Sequence, residues 1–415
     1  MTSCHRSVNL LAICFLLCVL GIGLSFVQVL AVRGQDLRVT AILSLFDSSR
    51  TQLADPWPSI RVAKMLHENN HALIYNINHL AGGYVYPPVA ALFYRVFINL
   101  EETQIGSILI LVNRLFFLAI FFLLVSFLSS HSSVTRKEIL GLAVVVLLFY
   151  PLMRTLEINQ ATMQVTFLFA LTWIFLQSNR NIFAGIVFAL ALAFKPQFVL
   201  ILPLILWSAP QMALLAIATG FSLFILSVGY AGLENHIFYI TKMLPMLSGG
   251  YAFYPNHSAN GFFNRFFLNL PLDQFMLAPK MKPVQILTLV CGIIIYSIAI
   301  LLAWHQRKKE KMAVPLFGFA WLVTTLISPI SWEHHYAPAL FQFVWIYRQY
   351  SRTAEPPSNW FLLPLVLSFV LMASYFDIFS LQGRGERLLA SYVFYGALLL
   401  TISSGLMINR YNKFV

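Results

Sequence analysis

The side chains that could do chemistry in this 415-residue chain are few, and the most unusual of them is a lysine. Lys195 lies within the apolar stretch ALALAFKPQFVLIL. An intramembrane lysine costs about 3 kcal/mol on insertion scales, and such residues usually have a function. We expect Lys195 to neutralise a phosphate at the membrane interface, a task that suits a compact ammonium. The alternative is a lysine that snorkels to the surface from a short helix.

Asp55 is the strongest candidate for a catalytic base. It begins the polar stretch 55–88, which follows the first long apolar run and precedes the second. A carboxylate just past a membrane span can accept a proton from a hydroxyl group. Asp55 can equally cap a helix over residues 57–70, with Pro56 at the start of that helix, and the two roles are compatible. Asp47 is a weaker candidate for the same acid.

An acid and two imidazoles lie together in SPISWEHHY, residues 328–336. His334 and His335 can hold a phosphate or donate a proton. A metal site is not expected, because adjacent histidines on a helix face different ways and no His-x-x-His partner exists. A polar interfacial turn without a role in chemistry is the alternative interpretation.

Amides and aromatic rings supply the remaining candidates. The segment NHSANGFFNRFF, residues 256–267, combines them with a histidine and an arginine, and it begins with an N-x-S glycosylation sequence. Amides and aromatics suit the hydroxyls and faces of a sugar, whereas arginine suits a phosphate. The candidate substrate-binding residues are Tyr86, Asn159, Gln160, His257 and Asn260, and Arg265 is a further candidate for binding the phosphate.

The composition shows what kind of protein must position these residues. Hydrophobic residues make up 59% of the chain and charged ones 10%, and the mean hydropathy is +0.77. A soluble domain of this length would be far more polar. A membrane-spanning helix needs about 20 apolar residues, and these runs do not alternate as barrel strands do. The sequence therefore predicts an all-α polytopic membrane protein.

Basic residues and cysteines fit this interpretation. The formal net charge is +12, but Lys and Arg are scattered at segment ends without a basic stripe, so no nucleic-acid partner is expected. The four cysteines have no metal-ligand spacing and lie in or beside apolar segments, which favours buried thiols over disulfides. No glycine-rich phosphate cradle or soluble nucleotide-binding domain is evident. An enzyme here would need a lipid-borne activated substrate, and no cofactor is expected.

Charge asymmetry predicts the topology. About twelve spans with both termini cytoplasmic place the bases of the short loops inside, as the positive-inside rule requires. Residues 1–415 then form one integral membrane domain, with outer loops over 33–104 and 231–283, and residues 84–100 form a re-entrant or interfacial helix. The predicted spans are 9–32, 105–128, 139–152, 161–178, 182–194, 196–208, 211–230, 284–304, 313–330, 335–350, 359–377 and 388–408.

This topology predicts that any site faces outward. The candidate acids, imidazoles and amides fall on the outer side, whereas the inner loops hold almost only anchoring bases. Lys195 joins the outer group, since it ends the short span 182–194 at the break Lys195-Pro196-Gln197. Broken helices at membrane depth usually line a cavity.

Short motifs in a fixed order resemble those of the GT-C superfamily, specifically glycosyltransferase family 87, the polyprenyl-phosphate-mannose-dependent α-mannosyltransferases and their relatives. The resemblance covers about residues 10–345. The ordered motifs include an acid after the first span, Leu73-Ile74-Tyr75, Asn159-Gln160 and Asn256–Gly261. The most specific motifs are Tyr86-Pro87-Pro88, Lys195-Pro196 and Ser328-Pro329-x-Ser331-Trp332-x-x-His335.

The resemblance implies an inverting transfer from a polyprenyl-phosphate sugar to an acceptor at the outer face. It assigns Asp55 as the base, places Lys195 near the donor phosphate, and maps the histidine of the Ser-Trp-x-His element to His335, with His334 adjacent. The expected partners are a polyprenyl-phosphate sugar donor, with mannose as the sugar, a lipid or glycan acceptor, and membrane lipids. The expected location is a bacterial inner or plasma membrane.

Two other functions stay open on sequence alone. A multi-pass transporter would bind an anionic solute at its broken helices and buried lysine, although the chain shows no pseudo-symmetric halves. A non-catalytic subunit of envelope glycoconjugate assembly would tolerate the loss of Asp55. The chain also departs from the family pattern at Ser59 and Ile60, where a tyrosine is usual, and at Asn159, where a glycine is usual.

Overall fold

The structure is a computed structural model, and it is helical throughout the residues that it describes. Two isolated bridges, Tyr251 with Leu277 and Asn256 with Trp332, are the only β-type pairs in that part of the chain. The all-α prediction is therefore confirmed. The described residues are 19–28, 30, 37–44, 56–68, 73–75, 83–129, 134–309, 311–352, 361–376 and 383–410.

The helices of the first half differ widely in length. The longest has 28 residues, whereas the one that begins at Pro88 has seven. A proline at the first helical position is favourable, because the missing N–H would have had no partner there. The helices are α1 (Val19–Gln28), α2 (Leu37–Ser44), α3 (Trp57–Glu68), α4 (Pro88–Tyr94), α5 (Glu102–Ser129), α6 (Arg136–Leu148), α7 (Tyr150–Glu157), α8 (Thr162–Gln177), α9 (Asn181–Phe194) and α10 (Ile201–Ile205).

The second half adds ten helices and the turn that carries the two adjacent histidines. That turn is the 3-10 helix Glu333–Tyr336; two more 3-10 helices are Arg95–Phe97 and Pro196–Leu200, and Tyr239–Met243 is a π-helix. The α-helices are α11 (Pro210–Ala231), α12 (Leu233–Phe238), α13 (Leu244–Leu247), α14 (Ala259–Phe267), α15 (Lys282–Gln306), α16 (Ala313–Ile327), α17 (Ala339–Arg352), α18 (Leu362–Ala373), α19 (Arg384–Leu389) and α20 (Tyr392–Arg410).

Among the described residues, four helices are long and apolar enough to cross a membrane, namely α5, α11, α15 and α20, and the bent pair α6–α7 would be a fifth. Helical structure lies within every predicted span, but many of the helices are short. A 15-residue helix such as α16 is about 22 Å long, against about 30 Å for the hydrocarbon core. The chain is thus a helical protein of membrane character, and the count of twelve spans stays a prediction.

The span predicted over 139–152 is interrupted in the structure. The axes of α6 and α7 differ by 61°, and Phe149 between them is not helical (φ −75°, ψ 92°). Pro151 explains the break, because a proline inside a continuous helix would lose one hydrogen bond and clash with the preceding turn. Helix α7 then continues to Glu157, so the polar turn after it begins beyond the predicted span.

Helix α16 forms the centre of the bundle. Its side chains from Pro315 to Leu326 are all buried, and it packs against α8, α10, α15, α17 and α20. A helix that is apolar all round needs this environment. Aromatic rings fill the centre, with Phe169 of α8 stacked on Phe317 at 4.7 Å between ring centroids. Because α16 is fixed on every side, the segment after it, which carries the two histidines, has a fixed starting point.

Candidate active site

Lys195 follows the last residue of α9, at the break that the sequence predicts. Pro196 cannot donate a backbone hydrogen bond, and the chain continues as the 3-10 helix Pro196–Leu200. Lys195 leaves the helical conformation (φ −133°, ψ 76°), and it is 7% exposed. Its ammonium group therefore lies inside the protein and does not snorkel to the surface.

The Lys195 ammonium contacts two of the other predicted site residues. Nζ lies 2.8 Å from Nε2 of His335 and 5.3 Å from the centre of the Tyr86 ring. An ammonium only donates, so Nε2 accepts and a neutral His335 carries its proton on Nδ1. That Nδ1 is buried and has no hydrogen-bond partner in the described part of the chain. The site therefore holds a buried N–H donor beside a cation, which suits an anionic oxygen.

His334 adds a second buried imidazole. Its ring centre lies 4.8 Å from that of His335 at an interplanar angle of 89°, and its Nε2 has no hydrogen-bond partner among the described residues. Burial, together with the charge of Lys195, lowers the pKa of both imidazoles well below the usual histidine value. Both rings are therefore neutral at pH 7 and can each donate one hydrogen bond.

Tyr86 is positioned by hydrogen bonds within its own segment and by packing of α4 on α9. The Tyr75 hydroxyl donates to the Tyr86 carbonyl at 2.8 Å, and the Tyr84 hydroxyl donates to the Pro87 carbonyl at 2.7 Å. Phe93 of α4 contacts Phe194, the residue before the lysine, at 4.9 Å between centroids. The Tyr-Pro-Pro and Lys-Pro motifs, more than a hundred residues apart in the chain, therefore meet in space.

Arg154 belongs to the site, although no sequence pattern singled it out. Its Nη1 donates to Glu157 at 2.8 Å, and its Nε lies 3.4 Å from Oε1 of Glu333. The guanidinium thus joins the end of α7 to the turn with the two histidines, and these elements pack together. Burial raises the pKa of Glu333. The sequence signal that could have indicated Arg154 is its position three residues before Glu157, next to an apolar run.

Asn159 and Gln160 form the turn between α7 and α8, as predicted. Asn159 is buried in the left-handed conformation (φ 49°), which asparagine tolerates better than most residues. Its Oδ1 accepts a hydrogen bond from Asn113 of α5, a second residue that sequence analysis missed. Gln160 accepts from the Thr162 hydroxyl at 3.1 Å. No described contact joins these amides to a cleft, and their role in substrate binding stays a prediction.

His257 is bonded to both ends of the segment that contains the 3-10 helix Glu333–Tyr336. Its backbone N–H donates to the Ser331 carbonyl at 2.7 Å, and its carbonyl accepts from the Tyr336 hydroxyl at 2.6 Å. Both ring nitrogens are buried without a hydrogen-bond partner among the described residues, and burial lowers the pKa of the ring. His257 therefore contacts the same turn that supplies His335.

The glycosylation sequence at Asn256 is closed to modification in the folded protein. Asn256 is fully buried, and its Nδ2 donates to the carbonyls of Tyr251 and Pro329 at 3.0 and 3.1 Å. Its Oδ1 accepts from the Ser331 N–H at 2.9 Å. The side chain instead joins the two segments that carry His257 and His335.

Arg265 and Asn260 have other partners. Arg265 is fully buried in α14, donates through Nε and Nη2 to the Ser391 hydroxyl at 3.1 and 2.8 Å, and donates through Nη1 to the Phe253 carbonyl. Asn260 accepts from Asn264 at 2.7 Å. The Arg265 contacts hold α14 against its neighbours, whereas the bond between Asn260 and Asn264 lies within α14. The assignment of Arg265 to the phosphate and of Asn260 to the substrate stays a prediction.

A comparison with protein families identifies the chain. The family described as glycosyltransferase family 87 matches residues 84–329, which is more than half of its length. The chain belongs to glycosyltransferase family 87. The resemblance inferred from the motifs is confirmed, and the protein is a glycosyltransferase. A search of curated proteins finds no match to it.

The family 87 match covers only part of the candidate site. Tyr86 and Lys195 lie within the matched residues, whereas Asp55, His334 and His335 lie outside them. Asp55 also lies outside the residues that the structure describes. The chain that follows it is described: α3 begins at Trp57 and packs on α4, and α4 packs on α9.

Proposed function

We propose that this family 87 protein transfers a hexose, with mannose as the first candidate, from a polyprenyl-phosphate donor to a lipid- or glycan-linked acceptor with inversion. The observation that carries the proposal is the buried contact of the Lys195 ammonium with His335, 2.8 Å apart and beside the Tyr86 ring. A buried cation with an adjacent imidazole donor suits a leaving phosphate whose negative charge grows during transfer.

The proposed mechanism is a single displacement. The Asp55 carboxylate takes the proton of the acceptor hydroxyl, and the acceptor oxygen bonds to the anomeric carbon as the bond from that carbon to the phosphate oxygen breaks. The electron pair of the broken bond leaves with the polyprenyl phosphate. Lys195 and the Nδ1–H of His335 stabilise the charge of that leaving group, and His334 supplies a further donor. Polyprenyl phosphate is already a good leaving group, so the mechanism has no step that requires a metal ion.

The lipid tail of the donor is assigned to the apolar surface beside residues 84–100. Helix α4 consists of PVAALFY, and the following Val96 is 75% exposed. Apolar surface of this kind is suited to a hydrocarbon chain. The tail would then lie on the same element that brings Tyr86 to Lys195, so that the head of the donor and its tail are held by one segment.

The decisive experiment is transfer from a synthetic polyprenyl-phosphate mannose by the purified protein, with Asp55→Asn beside the wild type. We expect the variant to lose about 10²–10⁴-fold in transfer rate, the range typical of a lost general base. Asp273→Asn, at an exposed acid of the predicted second outer loop, is the matched control and keeps its activity. Undiminished transfer by Asp55→Asn would remove this residue from the mechanism.

Two further arms of the assay separate the rival functions. A requirement for a nucleotide sugar in place of the lipid-linked one would overturn the proposed donor class. No transfer by the wild type from any polyprenyl-phosphate hexose, with retained binding of the acceptor, would favour a non-catalytic subunit of glycoconjugate assembly. Exchange of an anionic solute across proteoliposomes would favour a transporter.

A further inference from the structure

A polar cavity lies away from Lys195. Its volume is about 170 Å³, and it is lined mainly by the ends of α8 and α17, the start of α9 and the residues just before and within the first turn of α16. Two of its lining side chains are cationic and four are carboxamides, and no acidic side chain of the described residues lines it. These polar residues are Gln177, Asn179, Asn181, Lys311, Arg348 and Gln349.

This cavity and the candidate active site are at opposite ends of the same helices. Asn181 begins α9 and lines the cavity, whereas Lys195 directly follows the end of α9. The 14 residues of that helix span about 21 Å at 1.5 Å per residue. Helix α17 gives the same order, because His335 precedes it and Arg348 lies in its last turns. The cavity is therefore a site separate from the one that holds Lys195.

Arg348 makes the cavity cationic in its interior. The residue is 8% exposed, its Nη1 donates to the Phe127 carbonyl at 3.1 Å, and its guanidinium carbon lies 4.9 Å from the centre of the Phe127 ring. A guanidinium has five N–H donors in a planar fork that matches the oxygens of phosphate. Lys311, which also lines the cavity, is exposed and adds an ammonium group.

Two helix N-termini strengthen the attraction for an anion. Both α9 and α16 begin at the cavity, and neither has a side-chain hydrogen bond at its N-cap. The first N–H groups of a helix have no partner within the helix and carry partial positive charge. Anions bind at such ends, and here the two ends lie at the same cavity as Lys311 and Arg348.

Trp207 and basic residues near the cavity are of the kinds that concentrate at lipid headgroups. Ser208, which lines the cavity, follows Trp207. Trp207 contacts Trp304 at 5.3 Å between centroids, and Arg307 lies over the Trp304 ring at 3.7 Å. Tryptophan and basic residues concentrate where a membrane meets water.

We propose that this cavity binds the phosphate group of an anionic ligand, either a membrane lipid headgroup or a free phosphorylated solute, at the end of the bundle opposite the active site. The ligand oxygens would be held by Arg348, Lys311 and the carboxamides. This inference does not depend on the sugar or the donor proposed above. It assigns a function to a polar, cationic cavity that transfer chemistry at Lys195 does not use.

Binding by the full-length purified protein tests the proposal in two arms. One arm titrates inorganic phosphate by calorimetry in detergent, and the other measures binding of phosphatidic acid, against phosphatidylcholine, in nanodiscs. We expect Arg348→Gln to weaken binding at least tenfold and Lys311→Gln to weaken it several-fold, because each removes a charge-assisted hydrogen bond. Lys308→Gln, which removes a charge from the same loop outside the cavity lining, should bind as the wild type does.

The results separate the outcomes. Lipid binding without phosphate binding identifies a headgroup site, and phosphate binding without lipid preference identifies a site for a soluble phosphate; either supports the proposal. Equal losses for Lys308→Gln and Lys311→Gln would mean surface attraction without a site, and would overturn it. Unchanged affinity for both ligands in Lys311→Gln and Arg348→Gln would overturn it as well, and the exposed Lys311 keeps the test valid if Arg348→Gln does not fold.

Discussion

The partner of Lys195 decides what this lysine can do. Its Nζ lies 2.8 Å from Nε2 of His335 and 5.3 Å from the centre of the Tyr86 ring, and both of these contacts are with neutral groups. A positive charge inside the protein is costly, and an anionic ligand that contacts it relieves part of that cost on binding. This arrangement agrees with the proposed role of Lys195 in binding the donor phosphate.

The first prediction at this scale concerns donor affinity. Lys195→Ala should weaken binding of a polyprenyl-phosphate sugar by about 10–100-fold, as expected for the loss of a hydrogen bond to a charged group. The donor affinity of Lys195→Arg should lie between those of the wild type and Lys195→Ala, because a guanidinium keeps the charge but not the compact shape. Lys242→Ala, at an exposed lysine of the π-helix Tyr239–Met243, is the matched control. Donor affinity equal to that of the wild type would refute the role of Lys195.

A second prediction at this scale concerns pH. His334 and His335 have pKa values lowered by burial and by Lys195, so in the folded protein they resist protonation while in the unfolded chain they titrate near pH 6.5. The unfolded state then binds more protons below about pH 6.5, and the stability should fall as pH falls through that value. Above it the two histidines contribute no pH dependence.

Thermal unfolding followed at a series of pH values measures this effect. The decrease below pH 6.5 should become shallower in His334→Asn, because one titrating group is removed. It should also become shallower in Lys195→Gln, because loss of the lysine charge raises the lowered pKa of both rings. A pH dependence that is identical in all three proteins would contradict the assignment.

Residues of unusual type were predictable, and residues of ordinary type were not. Lys195 is conspicuous in an apolar run, and Tyr86 and His335 lie in distinctive motifs, so the sequence indicates all three and the structure brings them together. Asn113 is a lone amide in an apolar helix, and Arg154 is a base near the end of a segment. Neither is conspicuous in the sequence. Their significance comes from contacts with Asn159 and Glu333, which no local pattern encodes.

At the scale of elements, the site depends on how the segments at helix breaks pack against other helices. The sequence predicts where helices break, because proline has a local effect, as at Pro196 and beside Tyr86. It does not predict the 61° bend between α6 and α7 or the packing of α7 against the 3-10 helix Glu333–Tyr336. That packing depends on Arg154, which lies between two carboxylates from different elements.

The prediction at this scale is that Arg154→Gln destabilises the protein by about 3 kcal/mol. This value is at the lower end of the range for a broken buried ion pair, because the Arg154 side chain is still 21% exposed. Removing the guanidinium leaves Glu157 and Glu333 buried near each other without a counter-charge. Adding Glu333→Gln to Arg154→Gln should recover part of the loss. Denaturation of the four proteins of this double-mutant cycle measures the coupling. Additive effects of the two substitutions would show that the pair does not interact.

At the scale of the whole molecule, the arrangement is a buried helix, α16, surrounded by α8, α10, α15, α17 and α20. Composition predicts a helical membrane protein, but it cannot count spans. Short apolar helices are compatible with crossing, with re-entry, or with burial inside the bundle, and only their neighbours decide among these. The two polar sites lie at opposite ends of α9 and α17, so the direction in which the helices cross determines which compartment each site faces.

Helix α15 allows the orientation to be tested. It is a candidate span of 25 residues, Lys308 follows its end, and Asp273 precedes its start. Near that start, the Thr288 hydroxyl oxygen lies 3.5 Å from Nδ2 of Asn260. Three residues before Asn260, His257 contacts the segment that carries the two adjacent histidines. The Asp273 end of α15 is therefore the end at which the candidate active site lies.

The positive-inside rule predicts that Lys308 is cytoplasmic and that Asp273 is on the outer side. In a protein whose four native cysteines are replaced by alanine, Asp273→Cys should react with an impermeant maleimide in intact cells, and Lys308→Cys only after permeabilisation. Reaction of both from one side would mean that α15 does not cross. The reverse pattern would place Lys195 and His335 on the cytoplasmic side, where the donor would have to present its sugar, and would place the cavity of Arg348 outside. The labelling pattern thus fixes the compartment of both sites at once, because a single spanning helix separates them.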